Sequence, residues 1–142
     1  GVIHRDIKPA NIMLTKEQVI KIMDFGIAKI AMSAKTQTNI VMGTPTYMSP
    51  EQIAGKKVDG RSDMFSLAVV MFELLTGRPP FLADNVSALL FAIAQTPHPS
   101  LKALRPVKNV MDRALQKDPA QRYRRASEFA TALRSCTQGL AA

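Results

Sequence analysis

The chain has 142 residues, 46% of them hydrophobic and 6% aromatic, which is enough apolar material for one globular core. The single cysteine excludes an internal disulfide and suits a reducing compartment, and no signal peptide, membrane span or repeat is evident. The net charge is +8, and residues 102–134 hold nine Lys or Arg against three acids. Neither a basic run nor interleaved aromatics accompany this charge, so we interpret it as solvated helix faces and expect no nucleic-acid partner.

Two short apolar runs near the start of the chain predict a small β-hairpin. The first run covers residues 12–14 and the second residues 19–22, with the polar sequence TKEQ between them as a plausible turn. Asp6 precedes the first strand, Asn11 follows Asp6 with four residues between them, and Asp24 ends the second strand. The two strands should therefore deliver these three side chains toward one place.

The chemistry of these three side chains suggests a metal and phosphate site. Asn and Asp oxygens are hard ligands suited to Mg²⁺, which binds a few protein oxygens together with substrate phosphates. With Asn11 and Asp24 used in this way, Asp6 is left as a carboxylate that could accept a hydroxyl proton. The alternative is an ordinary polar turn beside a hairpin.

The sequence SDMFSLAVVMFELLTG, residues 62–77, predicts a buried central helix. Its apolar residues cover the whole circumference, and the run is too short to span a bilayer, which needs about 20 residues. Ser62 is the expected N-cap and Gly77 the expected C-terminal cap. Asp63 enters the core at the start of this helix, so residues upstream should supply hydrogen-bond donors to it.

Three further helices are expected after the central one, each with a single buried stripe. Asp84 should cap the first, which Pro97 and Pro99 end, and the second should end near Asp118. His98 is predicted to be a surface loop residue. The apolar residues of the three stripes are Val86, Leu89, Leu90 and Ile93, then Val107, Val110, Met111, Ala114 and Leu115, then Ala126, Phe129, Ala130 and Leu133.

Four stretches of the chain resemble the eukaryotic-type Ser/Thr protein kinases. HRDIKPAN followed by DFG resembles their catalytic and metal-binding loops, and GTPTYMSPE resembles the end of their activation segment. SDMFSLAVVMFELLTGRPPF resembles their central helix, and KDPAQRY resembles their late arginine-bearing turn. TQTNIVMGTPTYMSPEQ and RSDMFSL are most similar to the bacterial receptor-type branch.

The resemblance implies a role for each residue of the first stretch. Asp6 would be the catalytic base, and Lys8 would hold the transferred phosphate, as in Ser/Thr-specific members. Asn11 and Asp24 would bind Mg²⁺, or Mn²⁺, that bridges the phosphates of ATP. Arg5 would pair with a phosphorylated residue of the activation loop.

The resemblance also assigns residues outside that stretch. Asp63 would accept hydrogen bonds from backbone N–H groups near His4 and Arg5; the alternative is a surface aspartate at a helix N-terminus. Glu51 would pair with Arg122. In the loop of residues 27–50, the resemblance implies that Thr36 and Thr38 are phosphorylation sites, unless they are merely solvated, and that Thr44 shapes the substrate pocket.

The expected architecture is mainly helical with a small β-hairpin, an incomplete kinase large lobe over residues 1–138 with a tail at 139–142. Neither a G-x-G-x-x-G loop nor a V-A-I-K-like lysine occurs, so the chain is expected to be the C-terminal part of a kinase domain and inactive alone. The expected partners are ATP and protein substrates, with a kinase dimer as a further possibility. The expected location is the cytoplasm or the cytoplasmic side of a membrane.

Two rival functions remain at this point. A small-molecule phosphotransferase, such as an aminoglycoside kinase, also uses an H-x-D-x-x-x-x-N loop, although Lys8 and the segment at residues 43–51 suit protein substrates better. A non-catalytic interaction module is the second rival, favoured for the isolated chain by the motifs that it lacks.

Overall fold

The computed structural model of the chain describes residues 2–24, 45–102 and 105–138. The described part is mostly helical, with one two-stranded sheet, as the sequence predicts. The strands are β1 (Ile12–Leu14) and β2 (Ile20–Ile22). The helices are α1 (Pro50–Ile53), α2 (Gly60–Thr76), α3 (Val86–Gln95), α4 (Arg105–Ala114) and α5 (Ala126–Gln138). Short 3₁₀ turns cover Pro9–Asn11, Pro45–Tyr47 and Pro119–Gln121.

The predicted hairpin is confirmed. Strands β1 and β2 pair antiparallel, with Ile12 opposite Ile22 and Leu14 opposite Ile20. Gln18 closes the turn in the left-handed region with φ of 60°. The position of this hairpin matters for the site because β1 begins directly after Asn11 and β2 ends two residues before Asp24.

Helix α2 is the central element, but its start differs from the prediction. It begins at Gly60 and is capped by Asp59, whose Oδ1 accepts a hydrogen bond from the Arg61 N–H at 2.9 Å. Ser62 is therefore not the N-cap. It lies inside the first turn and is buried, and its hydroxyl donates a hydrogen bond to Glu51 Oε1 in the core. The predicted cap at the other end is confirmed, since Gly77 adopts a left-handed φ of 79°.

The core forms around α2, against which α4 and α5 pack. Phe65 of α2 stacks on Phe81 with ring centroids 6.2 Å apart. Burying a large apolar side chain of this kind contributes roughly 1.5–3 kcal/mol. The last turn of α2 is an exception to the all-round burial expected of it, because Leu74 is 80% exposed.

Two details of the later helices also correct the sequence-based expectations. Helix α3 is capped by Asn85 instead of Asp84, with Oδ1 accepting from the Ala88 N–H at 2.8 Å. His98 is not a plain surface residue, since its side chain is 13% exposed and its ring meets Phe72 edge-on at 6.0 Å. In the described ranges no helix is both long and apolar enough to cross a membrane.

Candidate active site

Asp63 anchors the segment that contains His4, Arg5 and Asp6. Its Oδ2 accepts a hydrogen bond from the His4 backbone N–H at 2.7 Å, and its Oδ1 accepts from the Arg5 N–H at 2.8 Å. These are the upstream donors that the sequence requires for this carboxylate. Because both oxygens are engaged by the loop, Asp63 is more than a surface residue at a helix N-terminus.

The His4 ring joins this segment to the end of the hairpin. Its Nδ1 accepts a hydrogen bond from the Asp6 N–H at 3.2 Å, so the ring proton belongs on Nε2. Nε2 then donates to the Met23 carbonyl at 2.8 Å. His4 is 4% exposed, so these contacts are shielded from solvent. The His4 ring thereby links Met23, the residue before Asp24, to the backbone of Asp6.

Asp6, Lys8 and Asn11 lie together at the start of the hairpin. Lys8 Nζ is 3.2 Å from Asp6 Oδ2, and Asn11 Nδ2 lies 3.3 Å from the same oxygen. Asn11 Nδ2 also donates to the Asp6 carbonyl oxygen at 2.9 Å, which fixes the amide against the loop. The Asp6 side chain is 22% exposed, so solvent and substrates can still reach the carboxylate.

Asp24 is placed by its neighbour Met23. The Met23 N–H donates to the Asn11 carbonyl at 2.9 Å, while the Met23 carbonyl accepts from His4. Asp24 itself is exposed and has a left-handed φ of 53°. A non-glycine residue in this region is uncommon and is often found at functional sites.

Asn11 and Asp24 are the side chains that could hold a divalent cation. The Asn11 amide turns its nitrogen to Asp6, which leaves its oxygen as the atom that a cation would meet. No group of three or more His, Cys, Asp or Glu residues with metal-binding spacing occurs within residues 2–24, 45–102 and 105–138. Two oxygen-bearing side chains fit Mg²⁺, which takes its other ligands from water and phosphates.

Glu51 of α1 and Arg122 form a buried ion pair. Their side chains are 5% and 0% exposed, and two hydrogen bonds of 2.7 and 2.9 Å join them. The guanidinium also donates to three backbone carbonyls, those of Gln116, Arg61 and Lys117. Burial would raise the pKa of the Glu51 carboxyl, but hydrogen bonds from Arg122 and Ser62 outweigh it and hold that pKa below its ordinary value.

Sequence reasoning missed Gln52, which reaches from α1 to the segment that contains His4, Arg5 and Asp6. Its Nε2 donates to the Arg5 carbonyl at 2.9 Å. Gln52 also completes a capping box with Ser49, the N-cap of α1. The signal was present, since Ser followed three residues later by Gln is the sequence pattern of a capping box.

The remaining predicted residues are only partly covered by the structure. Thr36, Thr38 and Thr44 lie outside the described residues. Directly after them, Tyr47 donates a hydrogen bond of 2.6 Å from its hydroxyl to Glu73 Oε2 of α2. Burial and then the Glu73 carboxylate raise the pKa of Tyr47 to about 12, so the phenol stays protonated and holds this segment to α2.

The structure thus brings a carboxylate, a lysine and an amide together on one loop, those of Asp6, Lys8 and Asn11. Asp63 of the central helix α2 binds the backbone of that loop, and such a set of groups is suited to phosphoryl transfer. A family model described as "Protein kinase domain" matches residues 1–133, and the chain belongs to that family.

Three curated bacterial relatives are similar to almost the whole chain. The Serine/threonine-protein kinase PknB of Mycolicibacterium smegmatis is 44% identical over 137 residues, which is 91% of this chain and 22% of that protein. The Probable serine/threonine-protein kinase PknB of Bifidobacterium longum is 43% identical over 92% of this chain and 20% of its own length. The PknB of Mycobacterium leprae is 46% identical over 91% of this chain and 22% of its own length. The chain therefore spans about a fifth of these relatives.

Proposed function

We propose that the protein containing this chain transfers the γ-phosphoryl group of ATP to a Ser or Thr hydroxyl of another protein. The observation that carries this proposal is the cluster of Asp6, Lys8 and Asn11, held on α2 by Asp63. Similarity to bacterial Ser/Thr kinases supports the choice of acceptor.

In this proposal Asp6 accepts the proton of the substrate hydroxyl while the hydroxyl oxygen attacks the γ-phosphorus. The bond between that phosphorus and the β,γ-bridging oxygen breaks, and ADP leaves. Lys8, 3.2 Å from Asp6, supplies positive charge beside the transferred group. Asn11 and Asp24 would hold Mg²⁺, which supplies charge neutralisation for the phosphates when it is bound. The 22% exposure of Asp6 suits a hydroxyl that arrives from solvent.

Further parts of the proposal concern residues beyond this cluster. Thr36 and Thr38 are autophosphorylation sites whose phosphates pair with Arg5, and Thr44 contacts the substrate hydroxyl region. Residues 1–138 form the large lobe of the kinase, with residues 139–142 as a tail. The kinase works in the cytoplasm or on the cytoplasmic face of a membrane, and it can dimerise.

The 142 residues expressed alone are inactive, because they lack a glycine-rich loop that covers the phosphates.

Identifying the acceptor tests the proposal against its rivals. The protein containing this chain is incubated with ATP, Mg²⁺ and either a Ser/Thr peptide library or an aminoglycoside. Label on Ser or Thr, and its loss in Asp6→Asn but not in Asp118→Asn, is the expected result. Asp118 is a matched control because it is an exposed aspartate that caps a turn far along the chain. Label on the aminoglycoside alone would favour the small-molecule phosphotransferase, and no label would favour the interaction module.

A further inference from the structure

The peptide unit between Arg5 and Asp6 is held at both ends. Its carbonyl, on Arg5, accepts the 2.9 Å hydrogen bond from Gln52 Nε2. Its N–H, on Asp6, donates to His4 Nδ1 at 3.2 Å. Because the Asp6 Cα is bonded to the nitrogen of this peptide, the orientation of the peptide plane helps to set the direction in which the Asp6 side chain leaves the backbone.

Arg5 needs such support because its backbone is strained. Its φ of 68° lies in the left-handed region, which a residue with a long side chain seldom adopts. Residues in this region persist where their surroundings hold them in place. Asp63 holds the Arg5 N–H at 2.8 Å, and Gln52 holds the Arg5 carbonyl.

Gln52 is itself fixed by the capping box of α1. Its Oε1 accepts hydrogen bonds from the Ser49 N–H at 3.0 Å and the Ser49 hydroxyl at 3.2 Å. With Oε1 facing two donors, the nitrogen Nε2 must face the Arg5 carbonyl. An amide is required here because one side chain must accept at one atom and donate at the other.

From this geometry we infer that Gln52 is a positioning residue for phosphoryl transfer. Gln52 links α1, the helix that begins at Pro50, to the peptide unit that precedes Asp6. The end of the predicted activation segment is thereby hydrogen-bonded to the backbone that orients the proposed base. The inference rests on the proposed function, because it gives Gln52 a role through Asp6.

Two substitutions separate this role from the stability of α1. Gln52→Glu keeps an oxygen for Ser49 but places a second oxygen against the Arg5 carbonyl, so the cap survives and the link is lost. Ser49→Ala removes the hydroxyl that caps α1 but keeps the link to Arg5, because the Ser49 backbone N–H can still donate to Gln52 Oε1. In the whole kinase, Gln52→Glu should lower kcat by about 10- to 100-fold with an unchanged KM for ATP. Ser49→Ala should lower the melting temperature and leave kcat within about threefold, since an N-cap hydroxyl contributes mainly to helix stability.

The pH dependence of the Gln52→Glu variant gives a signature that a purely structural role would not produce. A protonated carboxyl group regains an O–H donor that can reach the Arg5 carbonyl. The ratio of the variant's kcat to the wild-type kcat should therefore rise as the pH falls from 7 to 5, toward the ordinary glutamate pKa of about 4.3. A Gln52→Met variant, which has no hydrogen-bond donor and no group that titrates, should show a low ratio that does not change with pH.

The outcomes distinguish this inference from the proposed function. A Gln52→Glu protein with wild-type kcat at pH 8, alongside an inactive Asp6→Asn protein, would overturn the inference alone. An Asp6→Asn protein with full activity would overturn the proposed function and the inference with it. If Gln52→Glu does not fold, kcat per folded molecule of Gln52→Met decides, and a wild-type value would count against the inference.

Discussion

Asp63 and Glu51 are two carboxylates in the first turns of neighbouring helices, and they do different work. Asp63 accepts from two neutral backbone N–H groups, at 2.7 and 2.8 Å, on the segment before Asp6. Glu51 accepts from the guanidinium of Arg122, which is fully buried. The first carboxylate orients a loop that stays within reach of solvent, and the second neutralises a charge inside the core. Of two similar carboxylates, Asp63 therefore fixes the backbone of a loop, and Glu51 compensates a buried charge.

The difference predicts different consequences of substitution at the two positions. A buried ion pair contributes little net stability compared with apolar residues of similar size, but breaking it leaves an uncompensated charge. Loss of the Asp63 acceptor should instead loosen the strained backbone of Arg5, which lies beside Asp6. Substitutions at the Glu51 pair should therefore change stability, and substitutions at Asp63 should change turnover as well.

The largest expected effect on stability follows from Arg122→Met. Glu51 would remain buried without its cation, so the free energy of unfolding should fall by about 3–5 kcal/mol. Urea denaturation of the protein containing this chain measures this change. The exposed Arg125→Met serves as the control and should be nearly neutral. A double variant with Glu51→Gln should recover part of the loss, and equal losses in the single and double variants would contradict the charge argument.

A smaller stability effect, with a larger effect on turnover, is expected from Asp63→Asn. The amide keeps one acceptor but turns a donor toward a backbone N–H, which should cost about 1–3 kcal/mol. Because Arg5 then shifts, kcat per folded molecule should fall at least about tenfold. Asp59→Asn, in the cap of the same helix, is the control and should leave kcat unchanged. A normal kcat in Asp63→Asn would end the distinction between the two carboxylates.

The smallest expected effect concerns Lys117, which lies beside the buried pair. Its Nζ donates to the Ile93 carbonyl at 2.6 Å and sits 3.7 Å from the centroid of the Phe81 ring. Burial and then the charge of Arg122 lower the pKa of Lys117 to about 8. Between that value and the ordinary 10.5, the unfolded chain binds more protons than the folded one, so stability rises with pH.

Comparing wild type with Lys117→Met isolates this titration. From pH 7.5 to pH 10.5, wild type should gain stability over the variant, by on the order of 1 kcal/mol after discounting for solvent screening. Denaturation at both pH values gives the difference. A difference that stays constant, or that shrinks at high pH, would show that the charged form of Lys117 is not disfavoured in the folded protein.

The sequence was informative where local patterns carry the structure. The apolar stripes predicted the later helices, because their periodicity largely reflects burial. The apolar runs also predicted the two strands of the hairpin, although those residues are largely exposed in the structure. The contacts of Asp63 with His4 and Arg5 were expected on resemblance, and the structure contains them. The Glu51–Arg122 pair joins residues 71 positions apart, and only the resemblance pointed to it.

Sequence reasoning was weaker where neighbouring residues compete for one role. Asp59 and Ser62 are both good N-caps, and tertiary packing decided, because Ser62 is needed against Glu51. Asp84 and Asn85 compete in the same way before α3. The link from Gln52 to Arg5 spans 47 positions and depends on the left-handed backbone of Arg5, which no local pattern reveals.

In the proposed function, Asp6 is the base of a phosphoryl transfer and is positioned by the network around it. Single-turnover phosphorylation of a Ser/Thr peptide by Asp6→Asn, with ATP affinity measured in parallel, tests it most directly. The account predicts a fall of at least about 100-fold in the rate, within the range of general-base effects, with nearly unchanged ATP binding. A wild-type rate in the folded variant would contradict it.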